Sequence, residues 1–187
     1  NESAMRCVYL GPNAFLSGFT LTNGGTRADG DLILNRSGAG VLCGTGAVVS
    51  NCLLFANWAQ FGGGISQGTI VNSRIAQNNA FVSAGGLFFA QASACEFLDN
   101  SAYLYGGGMR SGTASNCLFT GNNVLDTAGG SSLGSAAHNS TLIHCTVISN
   151  IGPEQVTLCT VLNSIVYYPR GLTPLHHAPN LNDIPHL

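Results

Sequence analysis

The chain has no lysine. Six arginines and eight acidic residues leave only 7% of its 187 positions charged, with a net charge of −2. Without a basic field there is nothing to hold a phosphate backbone, so nucleic acid is excluded as a partner. No apolar run approaches the ~20 residues that a spanning helix requires, so no membrane partner is expected. No CxxC pair and no Cys/His spacing of the zinc type occurs, and no metal or cofactor is expected. A neutral, weakly charged ligand suits this composition best.

Catalytic groupings are also missing. A polysaccharide hydrolase needs paired carboxylates a few ångströms apart. The acids here are scattered, and the close pair Asp29 and Asp31 lies in an irregular stretch, TRADGDLILNRSG, that reads as a turn. A lyase needs a base beside calcium-grade acids, yet Arg74 and Arg110 stand without such a cluster. Glu96 falls one repeat below Arg74, which predicts a modest surface ion pair. The five histidines, His138, His144, His176, His177 and His186, assemble no site. No catalytic residue is assigned.

Glycine, at 25 residues, is abundant and periodic. Triplets begin at Gly62, Ala84, Gly106 and Ala128, at one constant spacing. In phase with them, VSNCLLFAN, IVNSRIAQN, ASACEFLDN and ASNCLFTGN place Cys52, Ser73, Cys95 and Cys117 five residues before Asn57, Asn78, Asn100 and Asn122. A period of about 22 residues marks a solenoid, whose units bury their apolar faces only by stacking. The units are β-branched and alternate in twos, so each is a β-coil.

Alternation then assigns faces. Cys52, Ser73, Cys95, Cys117 and Cys145 form one inward column, with Leu54, Ile75, Phe97, Phe119 and Val147 two residues on. Parallel in-register strands stack such columns about 4.8 Å apart. A second strand, after the glycine corner, carries Val41, Ile65, Leu87 and Met109 inward and Leu42, Ser66, Phe88, Arg110 and Ser132 outward. The asparagines sit at the other corner, bonding their own coil or the next asparagine. Since Ser73 shares the cysteine column, the cysteines are expected to be small core residues with free thiols.

The pattern N-C-x-x-x-x-N-x-A, followed by a Y/F-G-G-G corner, resembles the right-handed parallel β-helix repeat proteins of bacteria. The resemblance implies a single-domain, all-β parallel β-helix over residues 1–168, with irregular first coils, an insert near 24–37, and a Pro-rich tail or cap at 169–187.

Sugars are held by aromatic faces and a few planar polar groups. Between the asparagine and glycine corners, NWAQFGGG, NAFVSAGG, SAYLYGGG and NVLDTAGG supply them. Aligned on the glycines, one column reads Phe61, Ser83, Tyr105, Thr127 and another Ala59, Phe81, Tyr103, Leu125, with Trp58, the only tryptophan, just upstream. Candidate ligand-binding residues are Trp58, Phe61, Phe81, Tyr103 and Tyr105, with Arg74, Glu96 and Arg110 as polar contacts. A glycan would lie along the axis, in register with the coils.

The compact, low-charge form further resembles a β-helix carbohydrate-binding module, family 89, which accompanies xylan-degrading hydrolases of gut bacteria. This implies a secreted, non-catalytic module that holds a covalently linked catalytic domain on a neutral plant polysaccharide of the xylan type. The alternatives are a structural spacer or adhesin segment, or a lyase or hydrolase depending on Asp29, Asp31, Arg74 or Glu96.

Overall fold

The computed structural model describes residues 4–125, 133–152 and 154–167. They contain short strands and no helix, arranged in four parallel sheets. The first sheet stacks Val8–Leu10, Val41–Cys43, Ile65–Ser66, Leu87–Phe88, Met109–Arg110, Ala137–His138 and Val156–Thr157. The second runs from Phe15–Ser17 through Val48–Ser50, Thr69–Val71, Gln91–Ser93, Thr113–Ser115 and Thr141–Ile143 to Thr160–Leu162. The third runs from Thr20–Thr22 through Leu53–Phe55, Arg74–Ala76, Glu96–Leu98, Leu118–Thr120 and Thr146–Ile148 to Ile165–Val166. The fourth comprises Trp58–Phe61, Asn79–Ser83, Ser101–Ala102 and Asn123–Val124. Each strand pairs with its counterparts one coil before and one coil after, as a stack of parallel coils requires.

Four corners turn each regular coil, and at nearly all of them a single residue takes the left-handed conformation; at one, Gln67 and Gly68 both do. Gln67, Phe89, Ser111, Asn139 and Leu158 lead from the first sheet to the second, and Asn51, Asn72, Ala94, Asn116, His144 and Asn163 from the second to the third. Ala56, Gln77, Asp99, Gly121 and Ser149 make the third corner, and Gly62, Ala84, Gly106 and Gly134 the fourth. Asparagine and glycine tolerate this region best, which accounts for much of the composition. The residue after each corner points inward, where only a small or hydrogen-bonding side chain fits. At Gly107 the limit is steric, since a Cβ there would lie 2.3 Å from the Asn123 carbonyl oxygen.

The predicted inward columns form the core. Leu54, Ile75, Phe97, Phe119 and Val147 are fully buried, as are Val41, Ile65, Leu87 and Met109. Phe97 and Phe119 stack with ring centroids 4.5 Å apart and planes 6° from parallel. The asparagine corner is a continuous buried ladder. The Nδ2 groups of Asn57, Asn78, Asn100 and Asn122 each donate to Oδ1 of the next asparagine at 2.8–3.0 Å, ending at Asn150, which donates to Gln155. Each Oδ1 also takes the backbone N–H of the preceding asparagine, at 3.0–3.1 Å. This satisfies amides that would otherwise be buried without partners. All seven cysteines are unbridged.

The register corrects two expectations. Met109 pairs with Ala137 and Arg110 with His138, so His138, not Ser132, continues that outward column, and this coil is longer than the regular ones before it. Its corner is Gly134, with φ +72°; the triplet at Ala128 lies outside the described residues, as do Ser132, Thr127 and the 169–187 tail. Second, the outward column of the first sheet is largely covered from Leu42 onward, with Arg110 half-buried, although Tyr9 at its start is exposed. Leu42, Ser66, Phe88 and His138 are buried, and Phe61, Ala84 and Phe88 make a small exterior core against Ile33 and Val82.

The 24–37 insert is folded. Asp31 Oδ1 accepts the N–H groups of Ile33 and Leu34, Asp29 pairs with Arg27, and Arg6 donates to the carbonyls of Leu34, Ser37 and Gly38. The largest length variation falls on one side of the stack, although the step from the first sheet to the second is also longer in the first two coils than in the later ones. Starts of second- and third-sheet strands stay five residues apart in every coil, from Phe15 and Thr20 to Thr160 and Ile165. From the third sheet round to the next first-sheet strand, the step is shortest between Thr146 and Val156 and longest between Thr20 and Val41.

Candidate functional site

The outer face of the fourth sheet carries two columns. Pairing of Trp58 with Asn79, Asn79 with Ser101, and Ser101 with Asn123 makes the first. Ala59, Ala80, Ala102 and Val124 alternate inward and are buried. The residues that follow, Phe81, Tyr103 and Leu125, form the second outward column. Ala59 therefore does not share a column with Phe81. Its coil is one residue shorter between the asparagine and the glycine, and the register shift between Ala80 and Ser83 absorbs the difference.

Trp58, Phe81 and Tyr103 are 54%, 52% and 49% exposed and stand on three successive coils. The Trp58 and Phe81 rings lie 4.7 Å apart, tilted by 38°. A depression of about 370 Å³ opens beside them, lined by Met5, Asn23, Thr26, Gln60 and others. Along the strip runs a polar margin in which the Ser101 hydroxyl donates to Asn79 Oδ1. Asn79, Ser101, Asn123 and Gln60 are additions to the sequence-derived set. Alternation counted from the asparagine ladder, rather than from the glycines, identifies them.

Phe61, Tyr105 and Arg110 lie elsewhere, across the glycine corner. Ser37, Phe61, Ser83, Tyr105 and Leu133 form one column, so Leu133 takes the place expected for Thr127. Phe61 is only 8% exposed. Its ring stacks on Phe88 at 5.3 Å with the Arg36 guanidinium above it, leaving no free face for a ligand. Tyr105 packs against His138 at 4.8 Å and lies under the Arg110 guanidinium at 4.9 Å. Arg110 also donates to Ser83 Oγ at 3.1 Å, and among the described residues no carboxylate pairs with it. Burial, and then the charge of Arg110, push the His138 imidazole down to about 4.

Arg74 and Glu96 occupy a third place. They are register partners on the outer face of the third sheet, ion-paired at 3.6 Å and both exposed. The eight predicted residues thus fall in three regions, and only Trp58, Phe81 and Tyr103 come together as an exposed patch. A contiguous exposed aromatic patch of this kind marks a binding surface more often than a scatter of single apolar residues does.

The buried cysteines lie in the core, away from this patch. Burial raises the Cys43 thiol to about 12 and the Cys159 thiol to about 11. Cys117, hydrogen-bonded to Cys145 and Cys95, is pushed up as well, while the same hydrogen bonds lower Cys95 and bring Cys145 down to about 7; both of these thiols are buried. Among the described residues no three His, Cys, Asp or Glu side chains are placed to hold a metal ion. Comparison with protein-family models, curated proteins and solved structures gives no significant match in any of the three.

Proposed function

We propose that this chain is a non-catalytic carbohydrate-binding module: a single right-handed parallel β-helix, with coils of about 22 residues over residues 1–168, that binds a neutral plant polysaccharide of the xylan type. The observation that carries this reading is the strip of Trp58, Phe81 and Tyr103, one aromatic per coil on a face without net charge, bordered by the amides and hydroxyl of Asn79, Ser101 and Asn123. Aromatic faces cover the C–H surfaces of pyranose rings, while planar amides and hydroxyls meet the equatorial hydroxyls. In this reading the module is secreted and linked to a catalytic domain, whose local substrate concentration it raises.

The test is calorimetry and affinity electrophoresis against xylan, arabinoxylan, mixed-linkage β-glucan, pectin and alginate. Binding to xylans without product release is expected, and Trp58→Ala should weaken it roughly tenfold or more, since a stacked, desolvated aromatic anchor carries a large share of the binding energy. Silence across the whole panel would leave the spacer reading in its place, and release of sugar would restore the enzyme reading.

A further inference from the structure

We propose that the corner between the second and third sheets is a second glycan-binding track, taking one linear, uncharged polysaccharide chain parallel to the stack axis. The ligand class rests on the module reading above; the site rests on separate observations.

Two shallow depressions of about 590 and 550 Å³ lie along this corner and share Ala94 and Glu96, so they form one groove. It runs from Phe19 to Thr146 across six coils, about 24 Å at one strand spacing per coil. The recess has a local cause. The residue after each corner is the inward Cys52, Ser73, Cys95, Cys117 or Cys145, which is buried and small, and at Ala94 no long side chain fills the space outside. This is also the segment whose length never changes, so the wall keeps the same phase in every coil.

The lining suits an uncharged sugar chain. Asn72 and Asn116 are exposed, and among the described residues their amide side chains make no hydrogen bond; both face the groove as free donors and acceptors. His144 continues the same column. Among the described residues, the only Arg, Asp or Glu in the groove are Arg74 and Glu96, which neutralise each other. Phe19, exposed at one end, offers an apolar surface for C–H faces. The left-handed corner does not by itself demand asparagine, because Ala94 and His144 adopt it with the same φ of +52°. Planar polar groups at Asn51, Asn72, Asn116 and His144, interrupted at Ala94 and spaced at whole multiples of the coil rise, match a polymer of regular sugar units.

The consequence is bivalence. The aromatic strip and the groove lie on different sides of the stack, so one module would hold two polysaccharide chains and cross-link them. The test uses the full chain, the double variants Asn72→Ala with Asn116→Ala and Trp58→Ala with Tyr103→Ala, a soluble xylan, and a xylan hexasaccharide. Two hexasaccharides per wild-type chain are expected, with one for each double variant. The groove variant should lose roughly tenfold or more of the second-site affinity, the loss of one or two hydrogen bonds. Wild type should raise the light scattering of a xylan solution, and neither variant should.

One hexasaccharide per wild-type chain, or a Trp58/Tyr103 variant that binds nothing, overturns the second track while leaving the module reading intact. Complete absence of binding by wild type overturns both. Ala94 shows that the corner accepts alanine, so the groove variant should fold; the Arg74→Gln with Glu96→Gln variant gives a second, independent alteration of the same groove.

Discussion

Phe119 and Asn123 stand four residues apart in one coil, yet they belong to different environments. Phe119 is fully buried and stacked on Phe97, whereas Asn123 is partly exposed on the outer face of the fourth sheet. Phe119→Ala should destabilise the protein by about 3–5 kcal/mol, the transfer and cavity terms together, and Asn123→Ala by less than about 0.5 kcal/mol, as for an ordinary surface change. Denaturant melts of the two variants check this; equal losses would mean that inward and outward are assigned out of phase. His138 makes a prediction in pH. Its folded-state value of about 4 lies below the ordinary 6.5, so between those values the unfolded chain binds more protons. Its contribution is complete above pH 6.5 and is lost as pH falls toward 4, by up to about 3 kcal/mol. Urea unfolding at pH 7.5 and 4.5 should show this loss in wild type and a smaller one in His138→Gln.

The ladders are the next scale. Asn100 receives the N–H and Nδ2 of Asn78 on its Oδ1 and donates to Asn122 and to the Ile75 carbonyl. Asn100→Ala strands two buried donors and a carbonyl, and thermal unfolding should register a loss of roughly 3–5 kcal/mol, since each orphaned group costs about 1–3 kcal/mol. Ser73→Cys should stay within about 1 kcal/mol of wild type, because it restores the residue that this column uses in its neighbours. Both ladders were legible in the sequence, for parallel stacking repeats the same residue at the same phase. What was not legible has specific causes. The Ala-Gly-Gly triplet at 128–130 keeps the period of the earlier triplets, but the strand register follows Gly134, whose corner reads Gly-Ser-Ala-Ala with one glycine only. The missing residue in the Trp58 coil shifted Ala59 by one place, which in a strand exchanges inside for outside. Phe61 and Tyr105 looked like free aromatics because alternation distinguishes the faces of one sheet, but not the concave corner where two outer faces meet and bury each other.

At the scale of the whole molecule, the stack separates what must stay constant from what need not. The cysteine and asparagine ladders run through the coils at fixed phase, and the corner between second and third sheets keeps its five-residue step in all seven coils. The largest departures in length fall on the opposite stretch, around the fourth sheet, where the step from Thr20 to Val41 far exceeds that from Thr146 to Val156. That stretch also carries the aromatic strip. Solenoid stability depends on contacts between neighbouring coils, and loop closure penalises added residues only slowly. Descendants of such a chain are therefore free to lengthen or trim this flank generation by generation, rewriting the surface beside the aromatics while inheriting the interior unchanged. A combinatorial library diversified at 24–37 and along that flank would follow the same route.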